Sequence, residues 1–454
     1  MCISLLQFKY IFAILLIMKV AFKTLGCKLN FSETSTISRE FTKNGYEKVD
    51  FDKKSDIYII NTCSVTQNAD KEFKYLVNKT KKNNPNAYVV AVGCYAQLKP
   101  KEISSIDGVD LVLGADKKFD ILNYLEFDKK ISQNYHSCQI SDVNKFMPSY
   151  SFGDRSRSFL KIQDGCDYQC SYCTIPLARG KSRSPSVENV TDSIKSLLDK
   201  GVKEVVLTGV NIGDFGIFDP KKPRQNNFLD LLNQISKIKD LKRLRISSIE
   251  PNLLDNDIID IVSESEKILP HFHIPLQSGS DKILKLMKRR YLRNVYESRF
   301  EYIRKRIPNA CIGSDIIVGF PGEDELEFTE TYNFLKSIDI SYLHVFSYSE
   351  RSNTSSLLLN QKVSKIIKNK RSKILRELSN SKKLEFYKKN INNSHNVLFE
   401  TENKNGYIYG YTENYVRVKS LWSNSKQNEI VNCYLDSIDS DFSCIAEQAV
   451  ELKV

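Results

Sequence analysis

The chain has 454 residues, of which 41% are hydrophobic and 27% are charged. This balance excludes a mainly disordered chain, and the length exceeds what one hydrophobic core usually supports, so two or three domains are expected. The formal net charge of +12 gives the protein a mild attraction to polyanions.

The chain opens with an apolar segment. Its apolar core, residues 11–18, is too short to span a bilayer, and no small-residue cleavage site of a signal peptide follows it. We therefore interpret residues 1–17 as an N-terminal extension outside the fold, ahead of a chain that begins at Met18; a membrane anchor is the alternative. No later stretch is apolar enough to span a membrane, so no membrane partner is expected.

Residues 18–150 alternate between strand-like and helical patterns. The strand-like runs are residues 20–25, 56–60, 88–92 and 109–113. This alternation predicts a doubly wound parallel sheet. Cys27, Cys63 and Cys94 each follow a strand, and the C-terminal ends of parallel strands share one edge, so we expect a shared metal or cluster site. Taken singly, each cysteine has a second interpretation as a small buried residue.

The next region contains a tight cysteine triplet: Cys166, Cys170 and Cys173. Three thiolates at this spacing can bind one soft metal centre. A structural zinc would need a fourth ligand, and the nearest candidates, His136 and Cys138, lie across a polar stretch. Three thiolates also fit a four-iron cluster that leaves one iron open to a substrate or cofactor. Eleven cysteines in so long a chain favour reduced thiols, and hence a cytoplasmic location.

Residues 151–360 contain six consecutive βα patterns. The strand-like runs are residues 159–162, 204–208, 243–247, 271–275, 311–318 and 342–347. This succession predicts a partial (β/α)6 barrel with its active site at the C-terminal strand ends. The loop GVNIGDFG lacks the spacing of a dinucleotide fold. Together, however, the glycine-bearing loops surround the triplet and indicate a bound small molecule.

Residues 361–390 form a basic helical connector with eleven Lys and Arg against two Asp and Glu, a charge that suits a phosphate backbone. A solvated helix face is the alternative. Residues 391–454 show short alternating runs that predict a small antiparallel β-barrel of an oligonucleotide-binding kind. This module has five Lys and Arg against nine Asp and Glu, so we expect it to recognise RNA by shape or through exposed aromatic residues such as Tyr411, Tyr415 and Trp422.

Several motifs carry a family resemblance: TLGCKLN, NTCSVT, VGCYAQ, GCDYQCSYCTIPLARGKSRS, RISSIEP, HIPLQSGSD and SDIIVGFPGE. Over residues 18–452 the chain resembles the radical S-adenosylmethionine (radical SAM) methylthiotransferases. LGCKLN and GYTENYV look most like the branch that acts on threonylcarbamoyladenosine at tRNA position 37, next to the anticodon. The sister branches act on isopentenyladenosine in tRNA or on a ribosomal protein. A non-catalytic, zinc-containing RNA-binding protein is a more remote alternative.

The resemblance implies a tRNA methylthiotransferase that converts N6-threonylcarbamoyladenosine into its 2-methylthio derivative. Two 4Fe-4S clusters and S-adenosyl-L-methionine (SAM) would be its cofactors. The triplet would hold the cluster that binds and cleaves SAM, which starts radical chemistry at carbon 2 of the adenine. Cys27, Cys63 and Cys94 would hold a second cluster that donates sulfur, and a second SAM would supply the methyl group.

Further roles follow from the same resemblance. The residues expected near SAM are Tyr172, Gly209, Asn211, Gly213, Ser248 and Glu250. Arg179 and Arg183 are expected to meet charge near the active site, with surface salt bridges as the alternative.

The implied domains are a methylthiotransferase domain at 18–150, a radical SAM barrel at 151–360, the basic connector at 361–390 and a TRAM-like barrel at 391–454. Expected partners are tRNA, an electron donor and a system that supplies sulfur or iron–sulfur clusters.

Overall fold

The structure is a computed structural model that describes residues 17–64, 67–125, 134–153, 155–217, 224 and 226–448. The proposed N-terminal extension therefore lies, apart from Ile17, outside the described residues. The chain divides into two compact units after Val143, and each is described by itself. Among the described residues, we find no helix with both the length and the apolar character needed to cross a membrane.

The first unit contains six parallel strands in the order β2-β1-β3-β4-β5-β6. The strands are β1 (Lys19–Thr24), β2 (Glu47–Val49), β3 (Ile57–Thr62), β4 (Tyr88–Gly93), β5 (Leu111–Leu113) and β6 (Tyr135–His136). The helices are α1 (Lys28–Lys43), α2 (Gln67–Asn83), α3 (Cys94–Leu98) and α4 (Pro100–Ser104). Every residue of β3 is buried, as expected for a central parallel strand covered on both faces. The predicted doubly wound sheet is confirmed.

The second unit begins with a six-stranded parallel array. The strands are β7 (Arg157–Lys161), β8 (Glu204–Thr208), β9 (Arg243–Ile246), β10 (His271–His273), β11 (Cys311–Val318) and β12 (Tyr342–Ser347). Bridges from Leu244 to Ile268 and from Ser248 to His273 join the two three-stranded sheets. The predicted partial barrel is confirmed.

Helices cover the outer face of this array. They are α6 (Val187–Asp199), α7 (Phe228–Ser236), α8 (Asn256–Glu264), α10 (Arg293–Arg306) and α11 (Glu325–Ser337). The short helices α5 (Ile175–Arg179) and α9 (Asp281–Leu286) lie after β7 and β10, respectively. Alternate strand residues such as Phe272, Ile316 and Val345 join the large hydrophobic core with the covering helices. The intervening residues therefore line the inner face, because side chains alternate along a strand.

The basic connector is a single helix, α12 (Lys365–Lys388). Its Leu375 is fully buried in the core of the large barrel. Arg371 donates through Nη1 to Oε1 of Glu323 at 2.8 Å. The opposite side of the helix leaves lysines exposed, among them Lys365, Lys370 and Lys373. One face of the helix is thus structural and the other is free to meet a polyanion.

The C-terminal module is a closed five-stranded barrel in the order β13-β14-β15-β17-β16. Its strands are β13 (Ser394–Phe399), β14 (Tyr407–Tyr411), β15 (Arg417–Leu421), β16 (Ile430–Ile438) and β17 (Cys444–Gln448). The predicted small barrel is confirmed, although the β15–β17 pair is parallel.

One strand boundary in this module differs from the prediction. The alternating run at residues 414–418 predicts a strand, but residues 414–416 instead complete a tight turn in which Tyr415 has a φ of +69°. Thr412 accepts a hydrogen bond through Oγ1 from the Val416 amide at 2.8 Å and so closes the turn. A side chain that bonds its own backbone competes with the strand ladder, which is why the alternating pattern was misleading here.

The same turn packs against the N-terminal end of the large barrel. Glu204 accepts from Nε of Arg243 at 2.8 Å and from Nε of Arg245 at 2.9 Å. Arg243 in turn donates through Nη2 to the Thr412 carbonyl at 3.0 Å. The guanidinium of Arg245 lies 4.8 Å from the Tyr415 ring centre. The small barrel is thereby attached at the end of the large barrel opposite to the C-terminal strand ends.

The expectation that Tyr411, Tyr415 and Trp422 are exposed for RNA is wrong. All three are half-buried. Tyr411 packs under Arg157, whose guanidinium lies 4.5 Å from its ring centre, and Trp422 packs on the core of the small barrel. The aromatic rings are used to join and fill the two barrels, which composition alone could not distinguish from an RNA-stacking role.

Candidate functional site

In the first unit, three cysteines lie at one edge of the sheet. Cys63 follows β3 and Cys94 follows β4 directly, and Cys27 comes three residues after β1. These strands are parallel neighbours, so the three cysteines lie along their common C-terminal edge. The approach is close, because a Cβ placed on Gly26 would lie 2.9 Å from Sγ of Cys63. The sequence predicted this placement correctly.

Buried amide side chains fix this edge. Asn30 donates through Nδ2 to the Leu25 carbonyl at 2.9 Å and to the Thr62 carbonyl at 3.0 Å. Asn61 donates back to the Asn30 carbonyl at 3.0 Å. The loop that carries Cys27 is thereby tied to the strand end that carries Cys63. Sequence reasoning missed these amides, although both lie within the LGCKLN and NTCSVT motifs.

In the second unit, the triplet lies on the loop after β7, where each sulfur has a hydrogen-bond donor. The Tyr168 amide is 3.4 Å from Sγ of Cys166, and the Ile175 amide is 3.5 Å from Sγ of Cys173. Nη1 of Arg289 is 3.1 Å from Sγ of Cys170. Donors aimed at sulfur stabilise thiolates and tune iron–sulfur clusters.

The triplet does not have the spacing of a single-ion site. A tetrahedral zinc at about 2.3 Å from each sulfur would bring the sulfurs within roughly 4 Å of one another. Among the described residues, one group of three Cys, His, Asp or Glu side chains has ligand atoms that all lie within 4.8 Å of one another, namely His273, Asp315 and His344. The three sulfurs of the triplet do not form such a group. The loop therefore fits a multi-iron cluster better than the zinc alternative.

Burial opposes ionisation of the triplet thiols. Burial raises the pKa of Cys173 to about 12 and raises those of Cys166 and Cys170 above their ordinary value. Metal ligation must therefore displace protons, as it does at other thiolate sites.

The base of the loop is held by a buried ion cluster. Asp164 accepts from Nη1 of Arg179 at 2.9 Å and from Nη2 of Arg183 at 3.2 Å, and all three residues are at most 4% exposed. The two arginines therefore meet a charge two residues before Cys166. They are not surface salt bridges, and their guanidinium groups meet the charge of Asp164.

Arg289 links the triplet to the loop after β9. Besides Cys170, it donates through Nη2 to Oε1 of Glu250 at 2.8 Å. Tyr168 donates to Oδ1 of Asp214 at 3.1 Å. Sequence reasoning missed Arg289, Tyr168 and Asp214. Tyr168 lies within the triplet and Asp214 within the loop GVNIGDFG, whereas Arg289 lies in neither.

Two of the residues expected near SAM have buried oxygens with no hydrogen-bond partner among the described residues: Asn211 at Oδ1 and Glu250 at Oε2. Burial raises the pKa of Glu250. Uncompensated buried oxygens are costly, so these atoms fit a polar ligand such as the amino acid or ribose part of SAM. The backbone amide of Asn211 is held by Oε1 of Gln163 at 2.9 Å.

The other expected residues have different surroundings. Gly209 and Gly213 are closely packed, since an added Cβ would lie 3.0 Å from Gln163 and 2.7 Å from Leu253, respectively. Tyr172 is half-buried and meets the Phe320 ring edge-on at 6.2 Å. Ser248 bonds His273 through Oγ at 2.7 Å. The roles of these residues toward SAM stay predictions.

Comparisons with known proteins agree with this geometry. Residues 19–114 match the "Uncharacterized protein family UPF0004", and residues 160–335 match the "Radical SAM superfamily". The "Threonylcarbamoyladenosine tRNA methylthiotransferase MtaB" of Aquifex aeolicus is 41% identical over 406 residues, which cover 88% of this chain and 96% of that protein.

A second kind of relative also matches. The "tRNA-2-methylthio-N(6)-dimethylallyladenosine synthase" of Thermodesulfovibrio yellowstonii is 32% identical, over 91% of this chain and 95% of its own. Among solved structures, the radical SAM methyltransferase TsrM of Kitasatospora setae matches with a TM-score of 0.54 at 13% identity, covering 72% of this chain and 73% of its own. That likeness concerns the fold.

Proposed function

This chain belongs to the radical SAM tRNA methylthiotransferases, and from that membership we propose that it methylthiolates carbon 2 of threonylcarbamoyladenosine in tRNA. Relatives named for this substrate are 33–41% identical to it. One observation carries the proposal: a three-cysteine loop with a donor at every sulfur lies beside unpartnered oxygens of the next loops.

SAM bound to a four-iron cluster supplies radical chemistry that removes hydrogen from an unactivated C–H bond. In our proposal, Cys166, Cys170 and Cys173 hold that cluster. Arg289 stabilises the Cys170 thiolate and fixes the carboxylate of Glu250 at the same time. Glu250 and Asn211 then orient the polar part of SAM through their unpartnered oxygens.

The first unit supplies the sulfur in this proposal. Cys27, Cys63 and Cys94 would hold a second 4Fe-4S cluster at the C-terminal edge of the sheet. Three thiolates again leave one iron of such a cluster without a protein ligand. The chain would work in the cytoplasm with an electron donor and a system that restores sulfur, since its many reduced thiols suit that compartment.

Metal content and product analysis test the proposal together. Anaerobically purified and reconstituted protein should be brown and hold about eight irons per chain, as two four-iron clusters require. Mass spectrometry of tRNA nucleosides should show the 2-methylthio derivative of threonylcarbamoyladenosine. A colourless, zinc-loaded protein would contradict the proposal.

Two cysteine variants separate the two clusters. Cys63→Ala should abolish sulfur insertion while reductive SAM cleavage persists, because the triplet is intact. Cys170→Ala should abolish both. If methylthiolation survives Cys63→Ala, the sulfur-donor role of the first unit is wrong.

A further inference from the structure

A row of polar side chains crosses the inner face of the large barrel. Ser248 Oγ lies 2.7 Å from Nδ1 of His273. Nε2 of His273 lies 3.1 Å from Oδ1 of Asp315, and Nδ1 of His344 lies 3.2 Å from the same oxygen. We call His273, Asp315 and His344 the inner polar row.

Strand register places these side chains on one face. Asp315 on β11 pairs directly with His344 on β12, and His273 on β10 pairs with Gly313, two residues before Asp315. Side chains two residues apart share a face. Their strand neighbours Phe272 and Val345 belong to the hydrophobic core under the helices, so the row faces the inside of the barrel.

The row is linked to the triplet through the loop after β9. Ser248, which holds His273, is two residues before Glu250 on the loop after β9. Glu250 is bonded to Arg289, and Arg289 to Cys170. A ligand that touches the row would therefore lie near the atoms that we assign to SAM.

The row has hydrogen-bonding capacity that the chain does not use. His273 is only 7% exposed, yet its Nε2 lacks an aligned hydrogen bond within the described residues despite its proximity to Asp315. His344 uses Nδ1 toward Asp315, and its side chain is 55% exposed. Burial opposes ionisation of Asp315, but the two imidazoles hold its pKa well below the ordinary range. The row thus offers an anionic acceptor flanked by imidazoles.

Such a row suits a polar substituent and disfavours an apolar one. A threonylcarbamoyl group carries N–H groups, a hydroxyl and a carboxylate, whereas a dimethylallyl group carries no hydrogen-bonding atom. A site built to hydrogen-bond its substrate disfavours an analogue that lacks the polar group, because buried groups of the site such as Nε2 of His273 are then left unpaired.

We propose that His273, Asp315 and His344 form the subsite that takes the threonylcarbamoyl substituent of the adenosine. This inference rests on the proposed function. Asp315 accepts from an N–H or the hydroxyl of the substituent, and the imidazoles donate toward its carboxylate. Ser248 is a positioning residue that fixes the ring of His273.

The test compares three single variants of the reconstituted full-length protein: His344→Phe, Asp315→Asn and His344→Gln. The last is conservative, because glutamine retains a hydrogen-bond donor. Each is assayed on tRNA bearing threonylcarbamoyladenosine and on tRNA bearing dimethylallyladenosine. Glu264→Gln, an exposed position on α8 with one surface ion pair, is the control variant.

We expect His344→Phe and Asp315→Asn to lower kcat/KM for the threonylcarbamoyl substrate by about 100-fold, mainly through KM, because the first removes a hydrogen-bond donor to the carboxylate of the substituent and the second removes the negative charge of an acceptor. His344→Gln should recover part of that loss. SAM cleavage without tRNA should stay unchanged in all variants, which shows that the barrel is folded and loaded.

Two outcomes would overturn the inference. One is a kcat/KM within twofold of wild type in both His344→Phe and Asp315→Asn. The other is a metal ion found in wild type in addition to the cluster iron, at one per chain, and lost in His344→Phe. The row would then be a metal site. Failure of the proposed function is distinct, since wild type itself would then leave threonylcarbamoyladenosine unmodified.

Discussion

Arg289 shows how one side chain can connect a cluster ligand to a substrate-binding loop. It reaches Cys170 and Glu250 at once, at 3.1 and 2.8 Å, and is nearly buried, with 5% of its side chain exposed. A buried guanidinium with two anionic partners is oriented by both of them. Its position is therefore sensitive to either neighbour.

Arg289→Gln should lower the rate of SAM cleavage about 10–100-fold, the usual cost of removing a group that orients a metal ligand. Release of 5′-deoxyadenosine under reducing conditions measures this rate, and iron content reports cluster retention. Arg306→Gln, a half-exposed arginine on α10, is the control. If Arg289→Gln and Arg306→Gln cleave SAM at the same rate, Arg289 has no role in SAM cleavage.

Gly93 illustrates a backbone requirement beside a cluster cysteine. It has a φ of +96°, and an added Cβ would lie 2.3 Å from Oδ1 of Asn61. Gly45 has a similar φ of +86° but no atom within 4 Å of an added Cβ. Alanine substitutions at Gly45 and Gly93 therefore distinguish the cost of backbone strain from the cost of steric overlap.

Gly45→Ala should cost about 1–2 kcal/mol of unfolding free energy from backbone strain alone. Gly93→Ala should cost a further ~1–3 kcal/mol, because the overlap forces neighbours to move. Denaturant unfolding measures both, and iron content should fall only for Gly93→Ala. Equal costs would mean that the edge beside Cys94 tolerates a side chain.

At the scale of elements, the junction between the large barrel and the turn at 412–416 depends on a buried carboxylate. Glu204 is fully buried between Arg243 and Arg245. Burial alone would raise the pKa of Glu204, but the arginines hold it well below its ordinary value. The carboxylate stays ionised and keeps both arginines oriented toward the turn.

Glu204→Gln should destabilise the second unit by about 3–5 kcal/mol, because it leaves buried guanidinium groups without a counter-charge. Thermal or denaturant unfolding of the full chain measures the destabilisation, with Glu264→Gln as the surface control. An effect no larger than that of the control would show that the arginines find other partners.

The stability difference between wild type and Glu204→Gln should depend on pH. A carboxylate whose folded pKa is lowered contributes stability that is full above its unfolded pKa, about 4.3, and is lost as the pH falls through the folded value. The advantage of wild type over Glu204→Gln should therefore be full above about pH 5 and shrink below about pH 4. Unfolding curves across this range test the sign.

At the scale of the whole molecule, the exposed lysines and the C-terminal barrel that we predict to bind RNA are separate elements of the second unit. The C-terminal barrel has fewer basic than acidic residues, and α12 carries the exposed lysines. Long-range attraction of tRNA is therefore expected at α12.

Replacing Lys365, Lys370 and Lys373 together by alanine should weaken tRNA binding and reduce its salt dependence. For every RNA phosphate that the protein no longer neutralises, the slope of log affinity against log salt becomes shallower by about 0.7–0.9. Binding measured at several salt concentrations tests this, with a matched triple variant at the exposed Lys195, Lys237 and Lys239 as the control. Identical slopes for the two variants would exclude α12 from the RNA surface.

The sequence by itself determined the types of the elements and the positions of the cysteines. Alternating strand and helix patterns predicted the parallel sheet and the partial barrel, because periodicity directly records which side chains are buried. Cys27, Cys63 and Cys94 were placed correctly at one edge, since parallel topology brings strand ends together.

Only the tertiary structure decided which distant side chains meet. Arg289 reaches Cys170 across 119 positions, and the inner polar row depends on the registers of three separate strands. Tyr415 was predicted to be exposed but packs against Arg245 and His271. The physical reason is that periodicity reports burial one element at a time, whereas the packing of one element on another depends on strand order and register.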